Sequence, residues 1–259
     1  MGIDGLRSVT ISIVTATYNC ATELQNLSES LRSQSDRNFE WVVADGNSAD
    51  GTLELLRSID DIQVVITSQA DFGIYDALNR AIRLASGTYY LVAGADDRFA
   101  KDAIANFRSA IERHRTDLVV ANVEYGKHLF KIKRLPSWLV GEKAFIANHS
   151  LATAFRKDLH VRFGLYSKRF PIAADSFFVL QACKGGATRR ESDFVAGSIG
   201  CAGVSYRDWA GASTELFRVQ LLMGCALIPQ VVLLLLRILK GASGSVRFLH
   251  SAILRKGAK

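Results

Sequence analysis

Short apolar runs alternate with amphipathic stretches through the first half of this chain of 259 residues, and that alternation narrows its folding more than any other feature. Residues 9–15 (VTISIVT), 39–44, 62–66 and 88–93 have the length and apolar character of buried strands. Between them Leu24, Leu27 and Leu31 recur at helical spacing, Leu53, Leu55 and Leu56 follow a cap-rich NSADGT segment, and residues 77–84 read as a helix closed by Ser86-Gly87. Strands separated by helices pair in parallel through crossovers, so the first ~120 residues are expected to form a mostly parallel sheet with helices on both faces. The expected class is α/β.

Ligands of such sheets sit beyond the carboxyl ends of the strands. The polar residues there are Thr17, Tyr18 and Asn19, then Asp45, Asp71, and finally Asp96 and Asp97. Carboxylates gathered on one rim repel an anion unless a divalent cation lies between them, and they suit Mg²⁺ or Mn²⁺ held against a diphosphate. No GxGxxG follows the first run and no GxxxxGK[ST] occurs, which argues against a dinucleotide oxidoreductase and a P-loop NTPase.

Composition excludes a disordered or collagen-like polymer, because half the residues are apolar and only 22% are charged. The charge is lopsided. From Leu216 onward there are seven basic residues and no acid, whereas the preceding body has 25 of each sign. This points to one basic appendage rather than a nucleic-acid-binding surface. Cys20, Cys183, Cys201 and Cys225 form no CxxC pair and are expected to be reduced. Asp4 and Arg7 precede a first run too short for a signal-peptide core, so the amino end is expected to stay in the cytoplasm.

Three ordered blocks, SIVTATYNCATELQNLSESLRSQS, WVVADGNSADGT and ADFGIYDALNRAIRLASGTYYLVAGADD, with a weaker fourth, FPIAADSFFVLQACKGG, resemble the family 2 inverting glycosyltransferases of the GT-A fold, especially small bacterial enzymes of cell-surface glycan assembly. The resemblance implies a GT-A domain over residues 1–215, its donor half about 1–120 and its acceptor half about 121–215, followed by a membrane-associating tail, 216–259. It places the nucleotide base against Ala16, Thr17 and the ring of Tyr18, with Asp45 accepting a hydrogen bond from it, and lines the donor pocket with Asp71, Gly73, Asp76 and Asn79. The DxD-type element falls on Ala95-Asp96-Asp97, with Asp96 toward the ribose or sugar and Asp97 on the metal, Mn²⁺ or Mg²⁺. Asp175 takes the place of the general base. His149 is an acceptor-side candidate. Ala16 and Gly94-Ala95 depart from the family's usual Pro and Asn or Ser, which bears on donor identity. The implied reaction moves one sugar from a nucleotide-diphosphate sugar to a lipid-linked acceptor. The QxxRW element of processive synthases is only approximated by Tyr206-Arg207-Asp208-Trp209.

The same residues have plainer readings. Asp45-Gly46-Asn47-Ser48 is also a turn with a helix cap, Tyr18 a packed aromatic, Asp96-Asp97 a solvated loop or cap, Asp175 a cap for residues 177–182, and His149 a packed residue. Lys131, Lys133 and Arg134 alternate as on the solvated face of a strand. In the charge-free stretch 219–236, Pro229 is expected to break a helix near its middle. Two short segments lying on an anionic membrane surface at the inner face are therefore expected, with Phe248, Leu249, Ile253 and Leu254 adding apolar contact and a buried helix or a true span as alternatives. A sugar-nucleotide pyrophosphorylase and a non-catalytic partner of the same fold remain the rival functions.

Overall fold

The computed structural model describes residues 10–147, 149–200 and 208–256, with side chains through residue 241. Asp4, Arg7, Val9, Asn148, Cys201, Tyr206, Arg207 and Lys259 lie outside the described residues, as do the side chains of Phe248, Leu249, Ile253 and Leu254.

The first half follows its sequence pattern: β1 (Ile11–Thr17), α1 (Ala21–Arg32), β2 (Phe39–Asp45), α2 (Thr52–Arg57), β3 (Gln63–Ser68), α3 (Ile74–Leu84) and β4 (Tyr89–Val92). The order β3-β2-β1-β4 is parallel throughout. β2 is buried along its whole length because helices cover both faces, which explains why it reads as an unbroken apolar run. Leu24, Leu27 and Leu31 of α1 pack into the same core as Ile11, Ile13, Trp41 and Val43. The indole of Trp41 donates to the Thr15 hydroxyl at 3.0 Å, which satisfies its buried N–H. At the far ends of these strands the Glu40 carboxylate, also buried, accepts from Ser12, from the Ser86 amide and hydroxyl, and from Gly87.

Beyond β4 come β5 (Arg98–Phe99), α4 (Ala103–His114), β6 (Leu118–Tyr125), β7 (His128–Phe130) and α5 (Ser137–Val140). Two 3-10 turns, Gly141–Ala144 and Ser150–Ala152, then lead into β8 (Thr153–Arg156), α6 (Leu159–Phe163), α7 (Ala174–Lys184) and β9 (Arg189–Ser198). This half of the sheet is mixed: β8 runs antiparallel to both β4 and β6, β9 parallel to β6, and β5 antiparallel to β9. Neighbouring β1, β2 and β4 send their chains away to opposite sides, so the crevice beyond their carboxyl ends is the site such a sheet offers. The strand expected at Lys131, Lys133 and Arg134 is absent. β7 ends at Phe130 and the chain turns instead, the Lys133 backbone N–H donating a hydrogen bond to the Lys143 carbonyl, ahead of Pro136, which has no amide proton to offer a ladder.

The tail is a pair of helices, α8 (Trp209–Leu222), capped by the Asp208 carboxylate, and α9 (Leu227–Lys256). The break falls before Pro229, at Gly224, whose φ of +78° suits glycine. Pro229 sits in the first turn of α9, where its missing N–H has no intrahelical partner to lose, so the second segment runs on as one long helix rather than a short one. No helix among the described residues is long and apolar enough to cross a membrane.

Candidate active site

The turns after β1 and β2 are laced together. The Asn19 amide donates to the Ser48 hydroxyl, the Asn19 side chain accepts from Ala49, and Cys20 and Ala21 donate to Thr52 and Asp50. Asn19 and Asn47 hold left-handed φ values of +47° and +68°, conformations that Asn tolerates better than most residues. Asp45 is the hub of this rim. Its carboxylate, 0% exposed, accepts from the Thr17 hydroxyl, the Ser48 amide and hydroxyl, and the Ser68 hydroxyl. Burial pushes the Asp45 carboxyl up, but those four donors outweigh it and hold it below its ordinary range. Four donors fill a carboxylate's acceptor sites, so Asp45 chiefly fixes the rim.

Above it, the Tyr18 ring stands 68% exposed. Gly46 lies between that ring and Asp71: a Cβ there would meet Asp71 Oδ2 at 2.9 Å and Tyr18 Cδ2 at 3.2 Å. Asp71 also accepts from the Gly73 amide and lies 3.9 Å from Arg80, whose Nη2 donates to the Asp45 carbonyl. Asp76 pairs with Lys168 at 2.8 Å. Asn79 is buried, and both ends of its amide clamp the backbone of Tyr166.

After β4 the chain turns at Gly94, whose amide donates to Asp97 Oδ2 at 2.7 Å; Gly200 donates to Oδ1. Asp97 is 1% exposed, and His149 Nδ1 lies 3.8 Å from it. Burial pushes the Asp97 carboxyl up against the opposing pull of His149 and the two amides. A buried carboxylate beside Asp96 at a strand end is the kind of oxygen donor that a hard cation takes. Among the described residues no group of three or more His, Cys, Asp or Glu forms a closed cage.

Asp96 and His149 line a cleft of about 700 Å³ that also contains Ala16, Tyr75 and Asp175. A smaller hollow of about 430 Å³ lies at the opposite, amino ends of β1–β3, away from every rim carboxylate. Asp175 is in the first turn of α7 but does not cap it. The free amides ahead of that helix, Ile172 and Ala173, donate instead to Glu215 of α8 at 2.9 and 2.8 Å. Asp175 Oδ1 accepts from the Tyr75 hydroxyl at 2.8 Å and from the Ser176 amide. Burial, with the Asp175 charge beside it, keeps the Tyr75 phenol well above its ordinary value, so it remains a donor. Behind Tyr75, His160 Nδ1 donates to the Gly164 carbonyl, which leaves Nε2 to accept from the Tyr90 hydroxyl at 2.6 Å.

Residues 12–168 match the family model described as Glycosyl transferase family 2. The chain belongs to that family. A PGL/p-HBAD biosynthesis glycosyltransferase of Mycobacterium tuberculosis is 30% identical over 245 residues, covering 87% of this chain and 89% of the relative. The Escherichia coli UDP-Glc:alpha-D-GlcNAc-diphosphoundecaprenol beta-1,3-glucosyltransferase WfaP is 31% identical over 97 residues, 37% of this chain and 39% of WfaP. The mannosyltransferase PcManGT from Pyrobaculum calidifontis, solved with GDP-Man and Mn²⁺, has the same fold, with a TM-score of 0.64 at 18% identity over 94% of this chain and 79% of that one.

In this glycosyltransferase the cleft brings Ala16, Asp96, His149 and Asp175 together, with Asp97 behind Asp96 and Asp45 beneath the rim. Asp71, Gly73 and Tyr18 stand on the adjoining rim, whereas Asp76 and Asn79 point their polar groups at Lys168 and Tyr166. Sequence reading missed Tyr75 and Glu215, which hold Asp175 and its helix, and the cleft residues Glu142, Lys143, Trp209, Arg237 and Lys240. The IYDAL segment carries Tyr75 in plain view and Trp209 ends the segment that approximates QxxRW; the others have no local signal.

Proposed function

We propose that the enzyme is an inverting, metal-dependent transferase that adds a single sugar from a nucleotide-sugar to a lipid-linked glycan acceptor at the cytoplasmic face of a membrane. The observation that carries this reading is the shared cleft, in which the strand-end acid Asp96 and the helix-end acid Asp175 face one space though 79 positions apart in sequence. PcManGT, with a nucleotide-sugar and Mn²⁺ bound, supports the donor class, and WfaP, named for a diphosphoundecaprenol-linked acceptor, supports the acceptor class.

In this reading the base stacks on Tyr18 over Gly46, with Asp71 at its edge and Asp45 fixing the turns below. Asp97 would hold the cation, with Asp96 toward the ribose or sugar, and the bound cation would neutralise the charge of the diphosphate leaving group. Asp175 accepts the proton of the acceptor hydroxyl as that oxygen forms its bond to the anomeric carbon and the bond to the nucleoside diphosphate breaks, so the configuration inverts. Tyr75 and Ser176 orient Asp175 for this step, and such a base contributes about 10²–10⁴ in rate. The tail supports peripheral membrane contact. On α9 Leu227, Ile228, Val231, Val232, Leu235, Leu236 and Leu239 are exposed at helical spacing, while polar Gln230 is buried and donates to the Trp138 carbonyl. An apolar stripe turned outward on a helix that carries no acid suits a lipid surface.

The test is thermal stabilisation by uridine, guanosine and thymidine diphosphates with and without Mn²⁺, on wild type and Asp97→Ala. Cation-dependent stabilisation by one nucleotide, lost in the variant, is expected. No stabilisation by any of them refutes the donor site, and release of pyrophosphate rather than nucleoside diphosphate in a turnover assay favours the pyrophosphorylase.

A further inference from the structure

Past Asp175 the cleft becomes cationic. Lys143, from the 3-10 turn after α5, and Arg237 and Lys240, from α9, line the same space as Asp175 and Trp209. Nearly a hundred residues of sequence separate the two segments, so the cluster exists only because α9 lies back across the body of the protein. The packing there is specific: Gln220 and Gln230 donate to the carbonyls of Ser137 and Trp138, and Gly241 leaves room for the Trp209 ring.

The charges of Lys143 and Arg237 are only partly met. The carboxylate of Glu142 adjoins them, one of its oxygens bound by the Ser176 hydroxyl and Oε2 buried with no hydrogen-bond partner. Arg237 spends Nη2 on a long 3.4 Å contact to the Leu139 carbonyl, and its Nη1 is buried without a partner. Burial, then the like charges of Lys133, Arg237 and Lys240, push the Lys143 ammonium down, with Glu142 pulling the other way. Cations that crowd one another in a concave site, Lys143 and Arg237 half-buried and Lys240 exposed at its edge, form a place where an anion is stabilised. In the transferase reading a cation would hold the donor diphosphate at the Asp96–Asp97 end of the cleft, whereas this cluster adjoins Glu142, beside Asp175 and Ser176, on the side of the acceptor hydroxyl.

We propose that Lys143, Arg237 and Lys240 form a subsite for a phosphate or diphosphate group carried by the acceptor lipid, positioned beside the base so that the sugar attached to that phosphate presents its hydroxyl to Asp175. The inference rests on the transferase reading and adds the charge of the acceptor to it.

Farnesyl diphosphate is the probe, titrated into full-length enzyme whose donor site is saturated with the best-stabilising nucleoside diphosphate and excess Mg²⁺. Inorganic phosphate and vesicles of pure phosphatidylglycerol form parallel arms. Farnesyl diphosphate is expected to bind alongside the nucleotide. Its affinity should fall about tenfold or more for each cation removed in Lys143→Gln and in the Arg237→Gln/Lys240→Gln double variant, with nucleotide affinity unchanged. Arg237→Lys, which keeps the charge, is expected to retain binding within a few-fold. Displacement of the probe by nucleotide, unchanged affinity in both Gln variants, or inorganic phosphate binding as tightly as the probe overturns the proposal. So does loss of vesicle binding with probe binding retained, since the cations would then serve the membrane surface. Should wild type bind the probe but no nucleotide, the transferase reading fails while the anion subsite stands.

Discussion

Glu215→Ala should uncouple stability from donor binding in a way that tests how α7 is held. One carboxylate oxygen of Glu215, on a side chain mostly buried against the body, accepts from the Ile172 and Ala173 amides at 2.9 and 2.8 Å. Hydrogen bonds to a charged group contribute about 1.5–3 kcal/mol each. The two here share a single oxygen, and water in the cleft can satisfy part of what is lost, so about 2–4 kcal/mol is expected for Ala. At about 2–4 °C per kcal/mol for a protein of this size, Tm should fall by roughly 5–15 °C. Glu215→Gln keeps an acceptor oxygen but not its charge and should lose about half as much. Because Asp175 is in the first turn of the helix whose start is released, kcat should drop about tenfold or more, an Ångström of misplacement being enough. Nucleotide affinity should not change, since the Asp45 rim lies on other elements. Urea unfolding, kcat and nucleotide titration on the three proteins settle it. A loss under about 0.5 kcal/mol in Glu215→Ala, typical of a neutral surface change, would refute the capping argument.

Asp97→Asn should abolish the cation-dependent part of nucleotide stabilisation in a thermal-shift assay while leaving the unliganded Tm intact, because it removes an under-compensated buried charge. Gly46→Ala should weaken nucleotide binding about tenfold with little change in stability, its Cβ intruding on Asp71 and Tyr18; calorimetry reads both. Gly87→Ala, whose Cβ would meet Ser12 Oγ at 2.5 Å and the backbone of Ser12 and Tyr89 at 2.8 Å, should cost about 1–3 kcal/mol in denaturant unfolding. Burial lowers the pKa of His160, so the folded protein binds fewer protons there than the unfolded chain; stability should decline as pH falls below about 6.5, seen as a lower urea midpoint at pH 5.5 than at 7.5 and flattened in His160→Gln.

The parallel half of the sheet was legible because its determinants are local: each strand is one apolar run, each helix one stripe of leucine or alanine, and the rim acids follow the runs directly. Asp175 could be placed at a helix start for the same reason. What could not be read is contact between distant segments. Glu215 reads as an ordinary acid in AGASTELF, and only the meeting of α8 with α7 makes it the partner of two amides. Asp45 and Asn79 resemble ligand contacts in sequence, yet the structure spends their polar atoms on Ser48, Ser68 and Tyr166. Proline is the stronger local signal for a helix break, but the break lies at the left-handed Gly224, and Pro229 is harmless in a first turn. Lys131 to Arg134 alternate like a strand, but β6 has already been paired by β7, β8 and β9 and offers them no edge.

The frontier between the neutral body and the basic tail falls inside α8, one residue beyond Glu215. Charge composition and mechanical continuity therefore divide the molecule differently. A tail exchanged at the charge boundary would have to continue the α8 helix in register, or the turn that holds Glu215 would lose its support and the start of α7 its partner. The outer face of α9 can change what it touches without disturbing the body, whereas α8, against which it packs, is tied through Glu215 to the start of α7, so a shift in the appendage reaches the cleft.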